Sequence, residues 1–565
     1  MLTQTYYTRR EIIDFKDLIS QSTAIYGNKN AFLIDGVMGE KTGITYKELI
    51  KDIEAVGTEF INMGLWHEQV AIIGDNSYEW CLTYLGTTCG VGTIVPVDKN
   101  LPIDEIKEIL LKSHAKAVVF SENTRDRIVA LKNVLPELKY YISMDSMQED
   151  DIVIPFKTII KKGNDLLKIG DQKFSSARID PSEANIIQYK YNDFDELKGV
   201  LISQENICAN IRYMTSVIDI RESDLALSVM PLSMMQENIS DFLMMLYCGA
   251  TITFSSGNII KNIKEAKPSV IIADTEFYET LYKNIWITAL KNRKYKKLKR
   301  QIRFSNFWGI KDIEIRRKKF SKLLADYGGR IRLLISVDSK VNSKVLKGLQ
   351  NLGFFVIQGY GTEETSNIAF INHVKRYKNN SIGMPIPGIE VSVNEPNDEG
   401  VGEVLIKGKT ITEGYYNDEE SKETLFNKDG YLKTGILAKK DKEGFFYLVG
   451  KKRNIIINHN DNEIFPEEIE NKVTSSDFIK QCLVYCKKMG PKEELKVCTI
   501  IVPDFEAIED FKGKSKFDVE GIRKIIAKEI KKCNKKLPSY KHIKDFELRN
   551  EEFDSNTIKN IRRVI

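Results

Sequence analysis

Cysteine and histidine side chains are the usual protein ligands of zinc, and their spacing decides whether several can reach one ion. This chain of 565 residues has eight cysteines but only five histidines. The cysteines are scattered and form no CxxC pair; they are Cys81, Cys89, Cys208, Cys248, Cys482, Cys486, Cys498 and Cys533. Such spacing predicts reduced thiols in a cytoplasmic protein without a zinc site.

A run of basic residues is the second candidate for an interaction. The segment Lys291–Arg303 (KNRKYKKLKRQIR) carries eight positive and no negative side chains, and a second cluster follows at Arg316–Lys319. Such a run is a solvated helical face, a contact to an anionic membrane surface, or a nucleic-acid contact. The formal net charge of the whole chain is only +5, so we expect no nucleic-acid partner.

Composition and hydropathy exclude other classes. Hydrophobic residues make up 42% of the chain and charged residues 29%, which is typical of ordered soluble domains. No apolar run approaches the ~18 residues of a membrane helix. The segment Met1–Glu11 (MLTQTYYTRRE) lacks the apolar core of a signal peptide. We therefore expect neither secretion nor membrane spanning.

The order of apolar runs and helical patterns predicts the architecture. An apolar run at Gln69–Gly74 precedes a helical pattern at Glu79–Gly90, and further apolar runs follow at Ser269–Ala273, Leu333–Ser336 and Phe354–Gln358. Strands that alternate with helices predict βαβ units and a parallel sheet, hence an α/β fold. From about residue 390 the pattern becomes β-rich, with frequent glycine and aspartate turns.

The C-terminal part reads as a separate small α+β module. Its pattern predicts a helix at Glu467–Val473, strands at Gln481–Tyr485 and Lys496–Val502, and a lysine-rich helix from about Asp518 to Cys533.

Seven strings, in order along the chain, resemble the adenylate-forming (AMP-binding) superfamily, and most closely its long-chain acyl-CoA synthetases (fatty acid–CoA ligases). They are Ile94–Asp98 (IVPVD), Tyr247–Phe254 (YCGATITF), Gln358–Ser366 (QGYGTEETS), Ser381–Val391 (SIGMPIPGIEV), Gly414–Tyr416 (GYY), Tyr431–Gly435 (YLKTG) and Gly450–Glu470 (GKKRNIIINHNDNEIFPEEIE). The resemblance implies a large N-terminal body, residues 1–450, of βαβ sheets plus a β-barrel-like part. It also implies a small mobile lid, residues 451–565, with a hinge near Lys452–Asn454.

The resemblance implies a reaction as well. In this superfamily a carboxylate attacks the α-phosphate of ATP, giving an acyl-adenylate and pyrophosphate, and a thiol such as that of coenzyme A then takes the acyl group. The implied cofactors are Mg-ATP and CoA, and the implied ligand is a fatty acyl group.

The phosphate loop of the family resembles Y-T-S-G-T-T-G-x-P-K-G-V, whose glycines turn backbone N–H groups toward the phosphates. Here Tyr189–Val200 reads YKYNDFDELKGV, so Lys198 is retained while the glycines, serine and threonines of the cradle are replaced. Asp193 and Asp195 stand in the replaced part. A carboxylate about 4 Å from a phosphate charge is repelled by roughly 4 kcal/mol at an effective dielectric near 20. We expect weak ATP binding through this loop.

The string Gln358–Ser366 is the second implied nucleotide contact. In the family its tyrosine stacks on adenine, its glutamate binds magnesium and its threonine contacts the α-phosphate. Tyr360 and Glu364 match the first two roles, which makes Glu364 the implied magnesium ligand and a catalytic candidate, whereas Glu363 replaces the threonine. A strand end followed by a turn explains Gly359 and Gly361 equally well. The family-matched nucleotide-binding remnants are Lys198, Gly359, Tyr360, Gly361, Thr365, Lys451 and Arg453.

Two other family positions are also altered. The aspartate of the T-G-D string, which holds the ribose hydroxyls, is Ile436, and the arginine after Gly450 is Lys451. A lysine retains the charge of that arginine but not its bidentate geometry.

The near-terminal catalytic lysine of the family lies in a string like F-x-x-T-x-T-x-K-I-x-R. Alignment on Phe553 and Arg563 puts Asn560 at its position, with Lys559 one residue earlier. A one-residue slip restores Lys559 as a catalytic candidate; otherwise the lid lacks that cation.

On the acyl side, Met234, Met235, Met244 and Met245 either line a flexible apolar pocket or belong to the core.

The pattern of replacements is selective, because strings that pack the scaffold persist while positions that touch phosphate and ribose change. We hypothesise that the fold is kept and that adenylation is lost or strongly weakened. The alternative is an active but divergent fatty acid–CoA or acyl-carrier ligase that uses Lys198, Tyr360, Glu364 and Lys559. A third reading is a surface-associated protein that uses Lys291–Arg303. The sequence predicts no particular partner protein.

Overall fold

The computed structural model describes residues 6–36, 40–146, 148–192, 196–309, 312–337, 341–458, 462–489, 494–505, 507–508, 519–553 and 563. The chain divides into two compact units. The first comprises Met1–Val341, Leu346–Val391 and Ile406–Leu432, and the second comprises Asn342–Val345, Ser392–Leu405 and Lys433–Ile565. The sequence predicts a domain boundary between residues 450 and 451, with a hinge near Lys452–Asn454 about which the C-terminal segment moves. This boundary and this motion stay predictions.

Helices occur throughout both units, and several begin at side-chain caps, as in the Thr45–Glu48 capping box. The helices are α1 (Phe15–Tyr26), α2 (Tyr46–Asn62), α3 (Tyr78–Thr88), α4 (Ile103–Lys112), α5 (Arg125–Val129), α6 (Phe156–Lys168), α7 (Lys173–Ser176), α8 (Gln204–Val217), α9 (Met235–Glu237), α10 (Met244–Cys248), α11 (Ile259–Ala266), α12 (Thr275–Lys291), α13 (Tyr295–Phe307), α14 (Ile313–Lys319), α15 (Ser321–Ala325), α16 (Ser343–Asn351), α17 (Glu419–Leu425), α18 (Pro466–Val473) and α19 (Val519–Asn534). No helix in the described ranges is long and apolar enough to cross a bilayer.

The strands form two large sheets and three smaller ones. They are β1 (Asn30–Asp35), β2 (Lys41–Thr45), β3 (Gln69–Ile73), β4 (Thr93–Val97), β5 (Ala117–Phe120), β6 (Tyr140–Ser143), β7 (Val153–Pro155), β8 (Ala184–Tyr191), β9 (Leu197–Ser203), β10 (Leu225–Ser228), β11 (Thr251–Phe254), β12 (Val270–Ala273), β13 (Leu333–Ser336), β14 (Val356–Thr362), β15 (Asn367–Ile371), β16 (Met384–Pro385), β17 (Ile389–Asn394), β18 (Val401–Gly408), β19 (Gly414–Tyr415), β20 (Leu432–Lys440), β21 (Phe446–Lys451), β22 (Ile456–Ile457), β23 (Glu463–Ile464), β24 (Ile479–Met489), β25 (Glu494–Pro503) and β26 (Ile543–Leu548).

The eight-stranded sheet confirms the predicted βαβ rhythm. Its strand order is β19-β9-β8-β4-β3-β5-β6-β7. Strand β3 pairs in parallel with both β4 and β5, so helices α3 and α4 connect parallel strands. The antiparallel pair β8 and β9 lies toward one edge of this sheet and carries the segment that resembles a phosphate loop.

The nine-stranded sheet has the order β16-β15-β14-β13-β12-β10-β11-β1-β2. Strands β10 to β14 are joined by parallel pairing, as the apolar runs predict. Strand β14 continues to Thr362, beyond the predicted end at Gln358, and pairs with β15. The glycine–tyrosine string therefore lies inside the sheet and not in the turn after it.

One hydrophobic cluster joins the two large sheets to the helices packed on them. It contains Ile72 of β3, Ile335 of β13 and the fully buried Trp80 of α3. Met235, Met244 and Met245 belong to this cluster, and Met234 packs against it. The core interpretation of these methionines is therefore confirmed.

The second unit contains the predicted α+β module. Strand β24 pairs antiparallel with β25, which pairs in parallel with β26, and helices α18 and α19 contribute Ile469 and Ile526 to its core. A four-stranded sheet, of order β17-β18-β20-β21, stands where the sequence predicts the β-barrel-like part. The α/β class with large sheets and a C-terminal module is confirmed.

A π-helical segment, Asn238–Leu243, lies between α9 and α10 and brings two carboxyl groups together in the core. Glu237 and Asp241 are both fully buried, and the Ser228 hydroxyl donates a hydrogen bond of 2.5 Å to Glu237. Burial raises the pKa of Glu237 to about 8. Burial and the Glu237 carboxyl raise the pKa of Asp241 well above its ordinary value. The pair therefore stays protonated, at least in part, at neutral pH.

This pair predicts a fall in stability with rising pH. Because the pKa of Glu237 rises from 4.5 to about 8 on folding, the native state binds more protons than the unfolded state between those values. This group alone lowers the free energy of unfolding by up to about 1.4 kcal/mol per pH unit in that window. We expect Glu237→Gln to flatten this slope in urea denaturation from pH 5 to pH 8. The exposed Glu149→Gln is the control, and an equal slope in Glu237→Gln and wild type contradicts the prediction.

Candidate functional site

The segment that resembles a phosphate loop is the end of a β-hairpin. Strands β8 and β9 pair through Lys190↔Lys198 and Tyr191↔Leu197. Beyond this ladder the Asn192 N–H donates to the Glu196 carbonyl at 2.9 Å, and the Asn192 side-chain amide donates to the Glu196 carboxylate at 2.9 Å. The backbone groups at the base of the turn thus bond to each other. Asp193 and Asp195 lie outside the described residues.

Lys190 is the central cation of this site. Its ammonium group lies 3.0 Å from the Glu363 carboxylate and 2.8 Å from that of Glu364. Burial lowers the pKa of Lys190, but the two carboxylates outweigh this effect and raise it well above its ordinary value. Burial raises the pKa of Glu364, and Lys190 outweighs that effect and lowers it. Lys190 and Glu364 are therefore charged together.

This contact adds a cation that the charge argument from the sequence left out. That argument considered the carboxylates of Asp193 and Asp195, whereas the ammonium group of Lys190 neutralises part of the charge of Glu363 and Glu364. The available signal was a lysine at the first threonine of the loop pattern; the motif with adjacent glutamates lies far along the chain. Which strand ends meet cannot be derived from that signal alone.

Glu364 is held by further contacts. The Tyr415 hydroxyl donates to its carboxylate at 3.2 Å, and its carbonyl accepts the Thr412 N–H at 2.9 Å. Its side chain is 10% exposed. The glutamate that the resemblance assigns to magnesium is thus already bound by an ammonium group and a phenol.

Lys198 also has carboxylate partners. Its ammonium group lies 2.7 Å from Asp418 and 3.3 Å from Glu196. The hydrogen bonds from Lys198 and Ser421 lower the pKa of Asp418 to about 2. Because Lys190 and Lys198 are cross-strand neighbours, both ion networks are anchored on one hairpin.

The glycine–tyrosine string has a packing explanation. A Cβ added to Gly361 would lie 1.8 Å from the Asn367 carbonyl oxygen, so the approach of β14 to β15 requires glycine there. A Cβ at Gly359 would meet Ile368 at 3.0 Å. Tyr360 is half-buried between the two glycines. These glycines serve the sheet whether or not Tyr360 also stacks on a base.

The turn after β14 is strained. Ser366 and Asn367 have φ values of +49° and +95°, which non-glycine residues rarely adopt. The Thr365 hydroxyl donates to the Asn367 carbonyl at 2.7 Å and accepts the Thr362 N–H at 2.9 Å. Thr365 is therefore buried as a turn-forming residue, and its hydroxyl is used internally.

The ribose-associated positions lie in the second unit. Ile436 is 8% exposed and pairs with Lys451 across β20 and β21. Nearby, the buried Glu403 accepts the Gly435 N–H at 3.1 Å and lies 2.7 Å from the Lys452 ammonium group. No sequence pattern indicated a role for Glu403. Arg453 lies in the 3₁₀ turn that follows β21, at the predicted hinge.

The two residues on which the near-terminal string is aligned, Phe553 and Arg563, both have hydrogen-bond partners. The Phe553 N–H donates to the Gln481 side chain at 2.7 Å, and Arg563 pairs with Glu470 and donates to the Val484 carbonyl. Lys559 and Asn560 lie outside the described residues, so the choice between them stays a prediction.

A cleft of about 590 Å³ opens at the carboxyl ends of β1, β3, β10 and β11 in the first unit. Ligand sites of α/β sheets commonly lie at such strand ends. Its lining combines apolar side chains with two lysines and three acids: Leu33, Ile34, Val229, Met230, Phe254, Lys41, Lys99, Asp35, Asp75 and Glu79. Lys41 pairs with Asp35 at 2.6 Å, and Lys99 pairs with Asp75.

The family of AMP-binding enzymes matches residues 20–189 and 196–416, which is more than half of the chain. The chain belongs to this family. The two matched stretches are interrupted at residues 190–195, the part of the hairpin that contains Lys190 and the altered loop.

Known relatives fit this assignment at low identity. The chain is 24% identical to long-chain-fatty-acid–CoA ligase 5 of Mus musculus, over 92% of this chain and 80% of that protein. It is 23% identical to fatty acyl-CoA synthetase B of Dictyostelium discoideum, over 90% of this chain and 79% of that protein.

Solved structures with the same fold include the anthranilate CoA ligase AuaEII in complex with anthranoyl-AMP. Its TM-score is 0.74 at 17% identity, over 98% of this chain and 96% of that one. ATP-bound MatB from Rhodopseudomonas palustris has a TM-score of 0.72 at 17% identity, over 94% and 95% of the two chains. These similarities establish the fold of an adenylate-forming CoA ligase.

We predict that Lys190→Met destabilises the first unit, because it leaves Glu363 and Glu364 adjacent without their cation. Unpairing one side of a buried ion pair costs about 3–5 kcal/mol, and we expect the low end because Lys190 remains 26% exposed. Urea denaturation measures the loss.

The exposed pair of Lys168 and Asp165 provides the control. Because such pairs contribute little, Lys168→Met should cost at most about 0.5 kcal/mol. Adding Glu364→Gln to Lys190→Met should recover part of the loss. Equal effects of Lys190→Met and Lys168→Met would show that the contact of Lys190 with the two glutamates is not important for stability.

Proposed function

We propose that this protein is an acyl-CoA synthetase-like member of its family that binds a fatty acyl ligand but has lost, or strongly weakened, ATP-dependent adenylation. The observation that carries the proposal is the position of Lys190. Its ammonium group contacts both Glu363 and Glu364, the second of which is the implied magnesium ligand.

Charge and geometry support weak Mg-ATP binding. Magnesium demands near-ideal octahedral geometry and dehydrates reluctantly, so it competes poorly for a carboxylate that already has an internal cation. The hairpin adds a second obstacle, because the Asn192 and Glu196 backbone groups bond to each other at the base of the turn. A phosphate nest needs successive N–H groups that point outward. The interruption of the family match at residues 190–195 agrees with this reading.

The alternative is an active but divergent fatty acid–CoA or acyl-carrier ligase. The observation that favours it is that Lys198, Tyr360 and Glu364 persist in the first unit, and that Lys190 adds a cation beside them. On this alternative, Lys190 supplies part of the positive charge that magnesium supplies in the reaction implied by the family resemblance. Mg-ATP and CoA are then the cofactors, with Lys559 as the candidate lid cation.

Carboxylate-dependent exchange of labelled pyrophosphate into ATP separates the two proposals. We expect exchange at background for fatty acids from short to long chains, because the altered loop does not bind the triphosphate of ATP. A family enzyme such as the mouse ligase is the positive control. Robust exchange that Glu364→Ala abolishes would overturn the proposed impairment and establish the alternative.

The cleft supports the acyl part of the proposal. Met230, Phe254 and Leu33 offer apolar contact for a hydrocarbon chain, and each methylene buried contributes about 0.8 kcal/mol. Lys99 offers a cation for a carboxylate or thioester head, at the expense of its contact with Asp75. The cleft volume lies within the usual range for small-molecule sites.

We expect Val229→Trp to fill the cleft and to weaken binding of a fluorescent fatty acid about tenfold or more, because the indole takes the place of the chain. The control is Val134→Trp, at an exposed valine that does not line the cleft. Fluorescence titration measures both. Equal affinity of Val229→Trp and wild type would exclude this cleft as the acyl site, whatever the exchange assay gives.

A further inference from the structure

The basic run forms one continuous exposed surface. The last residue of α12, the turn after it and helix α13 present all eight basic side chains of Lys291–Arg303 to solvent. None of the eight takes part in an ion pair with another described residue. Without them the formal charge of the chain would be −3 instead of +5, so the net positive charge arises from this one surface.

Aromatic side chains adjoin these charges. Phe304, Phe307 and Trp308 are 56%, 85% and 66% exposed. Arg300, Arg303, Phe304 and Phe307 have the i, i+3, i+4, i+7 spacing that places residues on one helix face. We call Arg300, Arg303, Phe304, Phe307 and Trp308 the basic–aromatic patch.

The three rings form a compact cluster. The Trp308 ring centroid lies 5.9 Å from that of Phe304 and 6.1 Å from that of Phe307. On the opposite face of the helix Leu298 and Ser305 are buried, and the Lys319 ammonium group donates to the Ser305 hydroxyl at 2.6 Å. Contacts on its buried face thus hold helix α13 in place. Its exposed face carries the three rings beside basic side chains that form no ion pair with a described residue.

The second basic cluster behaves differently. Arg316 is buried and donates to Asn306, Arg317 donates to the Ile331 carbonyl, and Lys319 is bound to Ser305. These side chains hold the helices together. The two basic clusters look alike in the sequence but have different roles. Of the two, Lys291–Arg303 is the one that combines basic side chains outside ion pairs with exposed aromatic surface.

We propose that the basic–aromatic patch docks the protein on an anionic lipid bilayer. Phenylalanine and tryptophan rings favour the membrane interface, and lysine and arginine gain about 1 kcal/mol each near an anionic leaflet. A nucleic acid would share the charge preference, but single strands stack on separate ring faces. Here the rings pack against one another, which favours insertion as one apolar unit.

The test is co-sedimentation of the full chain with vesicles of phosphatidylcholine alone or mixed with phosphatidylglycerol. We expect binding only to the mixed vesicles and weaker binding as salt rises. Arg300→Glu/Arg303→Glu should lower affinity about tenfold or more. Lys531→Glu/Lys535→Glu, at exposed lysines of the second unit, changes the net charge equally and should bind like wild type.

A second pair of variants tests the rings. Phe307→Ser/Trp308→Ser should lower affinity about tenfold with the charge intact, whereas Ile169→Ser, at a residue that is 81% exposed, should not. Circular dichroism checks that each variant is folded. Absence of binding to the mixed vesicles at low salt overturns the proposal, as do equal losses in the patch and control variants. Binding to an oligouridylate instead of vesicles also overturns it.

Discussion

The contact between Lys190 and the Glu363–Glu364 pair is the constraint on which the candidate site depends. Lys190 lies one residue before the end of β8 in the eight-stranded sheet, and the glutamates follow β14 in the nine-stranded sheet. One lysine thus joins the two large sheets of the first unit at the position where the family pattern has a phosphate loop beside a metal-binding glutamate. A buried charge is costly without its partner, so removal of the lysine destabilises the arrangement of the two glutamates.

In both units lysines contact carboxylates, although the carboxylates outnumber the lysines. Lys198 meets Asp418 and Glu196 in the first unit, and Lys452 meets Glu403 in the second. Each lysine balances part of the negative charge of the carboxylates that it contacts. These carboxylates therefore have an internal cation and do not depend on a bound metal ion for charge balance.

The sequence predicted what depends on local pattern. Hydrophobic periodicity located β3, α3, β13 and, in the C-terminal module, α18, β24, β25 and α19 to within a few residues, because burial of one face imposes a period that short windows reveal. It did not predict β26. It ended β14 too early, because Gly359 and Gly361 look like breakers in a window, whereas close approach to β15 requires them. Lys190 and Glu363 are 173 positions apart, and their contact is set by which strands are neighbours. Glu403 likewise meets Lys452 from a separate strand. Glu237 and Asp241 are only four positions apart, but hydrophobic periodicity does not reveal the π-helical turn between them or their full burial.

The proposed acyl cleft and the basic–aromatic patch are physically consistent with one ligand. A long hydrocarbon chain is scarce in water because each exposed methylene costs about 0.8 kcal/mol, so it resides mainly in bilayers. A protein that binds such a chain gains access to it by residing at the bilayer surface. In the proposed docking, the three rings of the patch supply short-range insertion. Its two arginines belong to the run of eight exposed basic side chains, Lys291–Arg303, which supplies long-range attraction. Membrane residence does not require ATP, so the proposed docking is compatible with the proposed loss of adenylation.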